Sequence, residues 1–356
     1  MKVGIIGLPQ SGKKTLYQVL TGHACPEHTD PSKPLMGTAD MRDQRFDILV
    51  TMYEPLKVAP ARVDLGLLPK LENETIARGD VFKDIVDMDA ICHVVRAFDD
   101  EAIYHVDGSV DPVRDVVNIN AELILHDLLF VETRLERIEV SLKKLKDERQ
   151  QKEKTLLERI KAHLETEKPL RLLEISPEEE LLIRSYPFIT LKQMILVLNV
   201  NDDALDSDVL LQKLSSACAE DRMEVMQVSA KVESEIATLE SVEERKEFLD
   251  EMGIKDPALE QLSRLCIKAL GLISFFTVGK DEVRQWLVRN ASSAPEAAGA
   301  IHSDLQRGFI RAEVMKYNEL IEHKNEAGLK AAGKMYLKGK DYTVEDGDIL
   351  NIRFKV

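Results

Sequence analysis

The sequence predicts an α/β fold: a sheet of buried strands and crossover helices, interrupted by a helical coiled-coil hairpin and followed by a separate α+β domain. Three observations predict it. Short apolar runs at 3–6, 90–95, 194–198 and 225–228 alternate with helical stretches, the pattern of strands buried on both faces. Between the second and third of these runs, apolar residues step by four and three from 131 to 164. From about 273 onward, short strand candidates surround one main helix.

Size and charge fit this reading. A chain of 356 residues has room for two or three domains, and 44% hydrophobic residues can fill their cores. The net charge of −15 argues against the whole molecule coating nucleic acid, though not against a local basic patch. Cys25, Cys92, Cys218 and Cys266 form no metal-ligand spacing and read as reduced thiols of a cytosolic protein. The first strand starts at once, without a targeting segment, and no apolar run reaches the ~18 residues of a membrane span. A cytoplasmic protein with no membrane partner is expected.

The first element carries the strongest local signal. After strand 3–6 comes Gly7-Leu8-Pro9-Gln10-Ser11-Gly12-Lys13, then a helix with Leu16, Val19 and Leu20 on one face, ending at Gly22. Strand, Gly-x4-Gly-Lys and helix together make a P-loop. Its glycines let the backbone curl around phosphate oxygens, and the helix N-terminus adds partial positive charge. Gly7, Pro9, Gln10, Ser11, Gly12, Lys13, Lys14 and Thr15 are the candidate phosphate contacts. One residue departs from the pattern. The position after the loop lysine should be Ser or Thr, whose hydroxyl binds Mg²⁺, and here it is Lys14. Thr15 follows one place later, about 100° further round the helix.

Residues 23–36, with Pro26, Pro31 and Pro34, read as an irregular loop. A helix is expected over 45–52, with Phe46, Leu49 and Val50 apolar. Strand 61–65 carries Asp64, either a metal-binding carboxylate or an ordinary strand-end Asp; the expected Asp-x-x-Gly is not there. Thr15 and Asp64 are thus weak metal candidates. Strand 90–95 contains His93, read as a packed core histidine, and a loop then runs past His105 to Pro112. Val131, Leu135, Ile138, Leu142 and Leu145 form a heptad stripe. It stops at the polar run 147–154 and resumes at Leu156, Leu157, Ile160 and Leu164, which predicts an antiparallel helical hairpin with a polar tip. Residues 131–171 hold twelve Lys/Arg against nine Asp/Glu. They read as a solvated face laced with ion pairs or as a nucleic-acid contact. Ser176-Pro177-Glu178-Glu179 is a helix start with a capping box.

The central strand 194–198 delivers Asn199-Val200-Asn201-Asp202 at its C-terminal end, where open α/β sheets bind ligands. After a helix over 209–221, strand 225–228 ends in Ser229-Ala230-Lys231. In the last domain, strands are expected at 275–278, 285–288, 309–314, 341–344 and 349–354, with a helix over 295–305.

Taken together, these motifs resemble the YchF / Obg-like ATPase family of P-loop GTPase relatives over nearly the whole chain. The resemblance rests on the P-loop, His93-Val94-Val95-Arg96-Ala97-Phe98-Asp99-Asp100, His105-Val106-Asp107-Gly108 with Asp111-Pro112, and Asn120-Ala121-Glu122-Leu123. Val228-Ser229-Ala230-Lys231, Gly308-Phe309-Ile310-Arg311-Ala312-Glu313 and the run from Gly339 to Asp348 also carry it. It implies a P-loop NTPase G domain over 1–118 and 191–272, a coiled-coil insertion over 119–190 and a ubiquitin-like β-grasp (TGS) domain over 273–356. It also implies a ribosomal setting and ATP preferred over GTP. In that family a base motif Asn-x-x-Glu replaces the GTPase Asn-Lys-x-Asp; here Asn199-Val200-Asn201-Asp202 lacks the lysine but ends in Asp. Asn199, Val200, Asp202, Ser229, Ala230 and Lys231 are the implied base-side residues, and His105 is the implied water-positioning residue.

The departures share one chemistry. Lys14 replaces the Mg²⁺ hydroxyl, no threonine matching the family's first-switch Phe-x-x-Thr segment survives in the Pro31 region, and Lys70-Leu71-Glu72-Asn73-Glu74 replaces the glycine-rich second switch. A Lys14 ammonium near the β-phosphate would replace part of the metal charge. The expected function is binding of ATP or GTP, with weak or absent hydrolysis and Mg²⁺ open. The alternatives are an active ATPase or GTPase of the family, and a nucleotide-independent scaffold holding ribosome or RNA through the hairpin and TGS domain.

Overall fold

The structure is a computed structural model. It describes the chain except residues 27–29, 31, 72–78, 107, 145–146, 206, 219–221, 240, 253, 255–256 and 356, and except the side chains of 80, 208, 217, 242, 243 and 246. Pro31, Glu72, Asn73, Glu74, Asp107 and Leu145 of the sequence reading therefore lie outside the described residues. The strands are β1 (Lys2–Ile6), β2 (Leu35–Asp40), β3 (Lys57–Ala59), β4 (Arg62–Leu67), β5 (Ala90–Arg96), β6 (Met194–Asn199), β7 (Glu224–Val228), β8 (Leu272–Thr277), β9 (Glu282–Arg289), β10 (Phe309–Lys316), β11 (Tyr336–Lys338) and β12 (Asp348–Phe354). They form two six-stranded sheets. The chain divides into two compact units, Met1–Gly37 with Asp64–Gly253, and Thr38–Val63 with Ile254–Val356.

In the first unit the sheet order is β2-β4-β1-β5-β6-β7. Around β1 the pairs are parallel, as are β5–β6 and β6–β7. Every residue of β5 and β6 is buried, which is why both read as unbroken apolar runs rather than alternating ones. Parallel pairing brings the C-terminal ends of β1, β5, β6 and β7 to one edge. The glycine loop, Phe98, Asn199 and Ser229 therefore emerge together.

The hairpin is built by helices Pro112–Leu142 and Glu148–Leu164. Val131, Ile138, Leu156, Leu157, Ile160 and Leu164 share one buried cluster. Lys154–Glu139 and Lys161–Glu132 ion pairs bridge the helices at 3.0 and 2.8 Å. The polar run 147–154 is not the tip itself. Asp147 caps the second helix, accepting from Arg149 N and Gln150 N, and the rest forms its first turns. Within it, Glu153 is buried and accepts from Arg134 Nε at 2.7 Å. At the root of the hairpin, Asp127 is fully buried. It accepts from Ile189 N (3.0 Å), Thr190 N (2.8 Å) and Thr190 Oγ1 (2.7 Å). The capping box forms as predicted: Glu179 N donates to Ser176 Oγ at 3.3 Å, and Ser176 N to Glu179 Oε2 at 2.9 Å. Ser176→Ala should lower stability by about 1 kcal/mol in urea unfolding, the usual cost of losing an N-cap hydroxyl.

The second unit carries the β-grasp sheet, in the order β11-β10-β12-β8-β9-β3. Neighbouring residues of its strands serve opposite faces. Phe275, Val314 and Leu350 pack with helix Ala294–Ile301, while Phe276, Met315 and Ile349 pack with Phe46 and Leu49. The second set is a departure from the expected G domain 1–118. Helix Gln44–Tyr53 lays its apolar face on this sheet, with the Phe46 and Phe276 rings stacked at 6.4 Å. Arg45 Nη1 donates to Asp346 at 2.6 Å, and β3 adds a parallel strand to the β9 edge. Helix Ala258–Ala269, expected with 191–272, also belongs to this unit, where Arg42 N donates to Ser263 Oγ at 3.2 Å. The expected strand 341–344 contributes only an isolated bridge, because Tyr342 and Val344 spend their backbone bonds on Ala294 and Ser292. An extended His302 splits the expected helix 295–305 in two. Among the described residues, no helix is long and apolar enough to cross a membrane.

Candidate functional site

The loop between β1 and helix Lys13–Thr21 has the backbone its glycines permit. Gly7 has φ 150°, and a Cβ there would lie 2.2 Å from Val94 O. Gly12 has φ 93°, and a Cβ there would lie 2.1 Å from Asn199 Nδ2. Only glycine fits either position. Lys13 is the first residue of the helix, and its ammonium folds back over the loop to the Gly7 carbonyl and, at 3.2 Å, to Leu8 O. Ser11 is 1% exposed, and its Oγ has no hydrogen-bond partner among the described residues. A buried hydroxyl left unpaired in a loop of this shape is a group waiting for an acceptor or donor from a ligand.

Asn199 at the end of β6 ties three segments together. Its Nδ2 donates to Ser11 O at 3.0 Å, and its Oδ1 accepts from Ala230 N at 2.9 Å. Asn201 Oδ1 accepts from Asp99 N at 2.9 Å. Asp202 accepts from Ser229 Oγ and Lys231 Nζ, both at 2.7 Å. The Lys231 ammonium and then the Ser229 hydroxyl hold its carboxyl below the usual carboxylate range. Every polar side chain of Asn199-Val200-Asn201-Asp202 thus has a partner inside the protein.

These segments enclose a cavity of about 1030 Å³ within the first unit. Pro9, Gln10, Ser11, Gly12, Lys13, Lys14, Thr15, Asn199, Val200, Asp202, Ser229, Ala230 and Lys231 all line it. Gly7 lies behind the wall, packed against Val94.

Two nominated residues lie elsewhere. In the parallel register Asp64 sits beside Lys2 and Leu67 beside Ile5. Asp64 is therefore about 10 Å, three residues of strand, short of the end that faces the cavity. The residues there are Leu67, Leu68 and Pro69, so the metal-carboxylate reading of Asp64 is corrected by the pairing. His105 is 5% exposed, with Nε2 3.0 Å from Asp115 Oδ2, and Arg114 Nη2 holds the other oxygen of that carboxylate at 2.9 Å. It is not among the cavity-lining residues. His93 is a buried residue of β5, as expected; burial and then the nearby Lys13 charge push its imidazole down to about 3.

The sequence shows Arg96 only within a family motif, with no role of its own. It is 2% exposed at the end of β5, and its guanidinium donates to the carbonyls of Phe98 (3.2 Å), Ile103 (3.0 Å), Asp100 and Tyr104 (both 3.4 Å). It shapes the loop whose Phe98, Asp99, Asp100 and Ile103 form one cavity wall. The signal was a charge closing an otherwise apolar strand. Lys33 and Lys70 also line the cavity; the sequence marks Lys70 only as part of the replaced second switch and gives no signal for Lys33.

Comparison with known proteins extends the resemblance to the whole chain. Residues 272–355 match the family model YchF-GTPase_C, described as "Protein of unknown function (DUF933)". The chain is 39% identical to the Ribosome-binding ATPase YchF of Bacillus subtilis, over the full length of both. It is 38% identical to the protein of the same name from Escherichia coli O157:H7, over 100% of this chain and 99% of that one. The Obg-like ATPase 1 of Oryza sativa subsp. japonica is 34% identical, with 100% and 92% covered. The solved structure of the Schizosaccharomyces pombe YchF GTPase superposes with a TM-score of 0.82 and 30% identity, over 99% of this chain and 97% of that one.

Proposed function

The chain belongs to the YchF family, and from that premise we propose that it binds a purine nucleotide in the first-unit cavity, with ATP held at least as well as GTP. The observation that carries the reading is the convergence of the glycine loop, Asn199 and Ser229-Ala230-Lys231 on one cavity, with the Ser11 hydroxyl buried and unpaired in the loop. Lys13, Ser11 and the loop backbone hold phosphate, while Val200, Asp202 and Lys231 border the base. Guanine would have to draw Asp202 onto its N1–H and 2-amino group, against Ser229 and Lys231, which already occupy both oxygens. Adenine makes no such demand. Hydrolysis is weak or absent, because among the described residues no carboxylate stands at the end of β4 beside the loop, and His105 pairs with Asp115 rather than lining the cavity. The ribosome-binding relatives support a cytoplasmic, ribosome-associated role, for which the hairpin and the β-grasp unit would be the contact surfaces.

Titration of the purified protein with ATP, GTP, ADP and GDP tests this. ATP should bind at least as tightly as GTP. A GTP preference above tenfold, about 1.4 kcal/mol, would mean that Asp202 reads guanine after all. ATP turnover at the rate of an active relative would remove the proposal of weak hydrolysis while leaving the binding site in place.

A further inference from the structure

Among the described residues, the phosphate end of this cavity fits magnesium, which the family resemblance implies, poorly: Thr15 lines it, but one place beyond the usual hydroxyl and about 100° further round the helix. The residue after Lys13 is Lys14, a protonated amine with no lone pair to donate. At the end of β4 the wall is Leu67, Leu68 and Pro69, which offer no side-chain oxygen. Among the described residues, no three His, Cys, Asp or Glu side chains cluster where they would hold a metal ion.

Cations of the protein's own stand there instead. The charged lining residues divide along the sheet. On the β2-β4-β1 half, Lys14 follows the loop, Lys33 precedes β2 and Lys70 follows β4; with Lys13 they line the cavity beside Asp30, the one carboxylate among the described lining residues of that half. On the β5-β6-β7 half the balance reverses, with four carboxylates against Lys231. Asp30 tethers Lys33 at 3.5 Å rather than cancelling the group. The unpaired Ser11 hydroxyl lies at the same end, inside the loop.

We propose that this end is a metal-free polyphosphate site, in which Lys14, with Lys33 and Lys70, takes the place of the divalent cation. The proposal rests on the nucleotide reading above and deepens it: the ligand is a nucleoside di- or triphosphate without its metal. Flexible ammonium groups neutralise phosphate charge as mobile point donors, and the same charges repel an incoming divalent ion. Complexing ATP with Mg²⁺ lowers its net negative charge, so the complex should bind no better than free ATP.

The experiment is calorimetric titration of the full chain with ATP in excess EDTA, with ATP in excess Mg²⁺, and with inorganic tripolyphosphate in EDTA. Free ATP should bind as tightly as the magnesium complex or several-fold tighter, and tripolyphosphate should compete. Lys14→Met should weaken metal-free binding about tenfold or more and gain nothing from Mg²⁺. Lys14→Ser should weaken it similarly and recover part of the loss in Mg²⁺. Lys70→Met and Lys33→Met should weaken metal-free binding several-fold each. Tighter binding of the magnesium complex by tenfold or more overturns the proposal and leaves the nucleotide reading standing. Unchanged metal-free affinity in Lys14→Met also overturns it. Tripolyphosphate binding without any nucleotide binding sinks the nucleotide reading and keeps the lysine site, and binding of neither ligand sinks both.

Discussion

Gly12→Val removes nucleotide binding, with an expected loss of roughly 100-fold or more in affinity, about 2.7 kcal/mol. The reason is a collision with a named atom. Any Cβ at Gly12 arrives 2.1 Å from Asn199 Nδ2, at a backbone angle of φ 93° that side chains resist. Asn199 cannot retreat freely, because it bonds Ser11 O on one side and Ala230 N on the other. Moving it releases the glycine loop from Ser229-Ala230-Lys231, the segment proposed to border the base. Phosphate and base contacts then cease to be held in one geometry. Titration with a fluorescent ATP analogue, alongside circular dichroism to confirm folding, measures the effect. A folded Gly12→Val protein that binds within threefold of the unmodified one would show that Asn199 is not the link between the two halves of the site.

The second large effect is on stability. Asp127→Ala should lower it by roughly 3–5 kcal/mol, because two buried N–H groups, Ile189 and Thr190, lose their acceptor, and each stranded donor costs about 1–3 kcal/mol. The Thr190 hydroxyl loses its acceptor too. Asp127→Asn keeps one carbonyl oxygen and should fall between. Urea unfolding of both variants tests this. A loss below 1 kcal/mol in the alanine variant would mean that the root of the hairpin is held by its apolar cluster alone.

The parts of this molecule legible in its sequence are those whose signal is local. The glycine loop is recognisable because strand, turn and helix fall within twenty-two residues and each constrains the next. The hairpin is recognisable because a helix periodicity needs no partner to be seen. What escaped reading depends on pairing between distant segments. Phe46, Leu49 and Val50 announce that helix Gln44–Tyr53 is covered on one face, but nothing in their spacing says that Phe276, Met315 and Ile349 do the covering. Asp64 ends an apolar run and so resembles a metal carboxylate. Its register beside Lys2, three residues early, is a property of the sheet rather than of the run. Lys33 and Lys70 look like any loop lysine until the order β2-β4-β1 brings both to the same wall as Lys14.

The passage of residues 38–63 into the second unit has a consequence for how the chain is made. These residues leave the ribosome early, yet the strands that cover their apolar face begin only at Leu272, roughly 220 residues after Tyr53, and end with β12 (Asp348–Phe354), which carries Ile349. At about 5–20 residues per second, helix Gln44–Tyr53 waits roughly 11–60 s during synthesis before the whole Phe276 and Ile349 surface it finally packs on has been made. Until then Phe46 and Leu49 lack the partners they finally pack on. A nascent chain halted before residue 254 should present that helix to chaperones, and one released at full length should not.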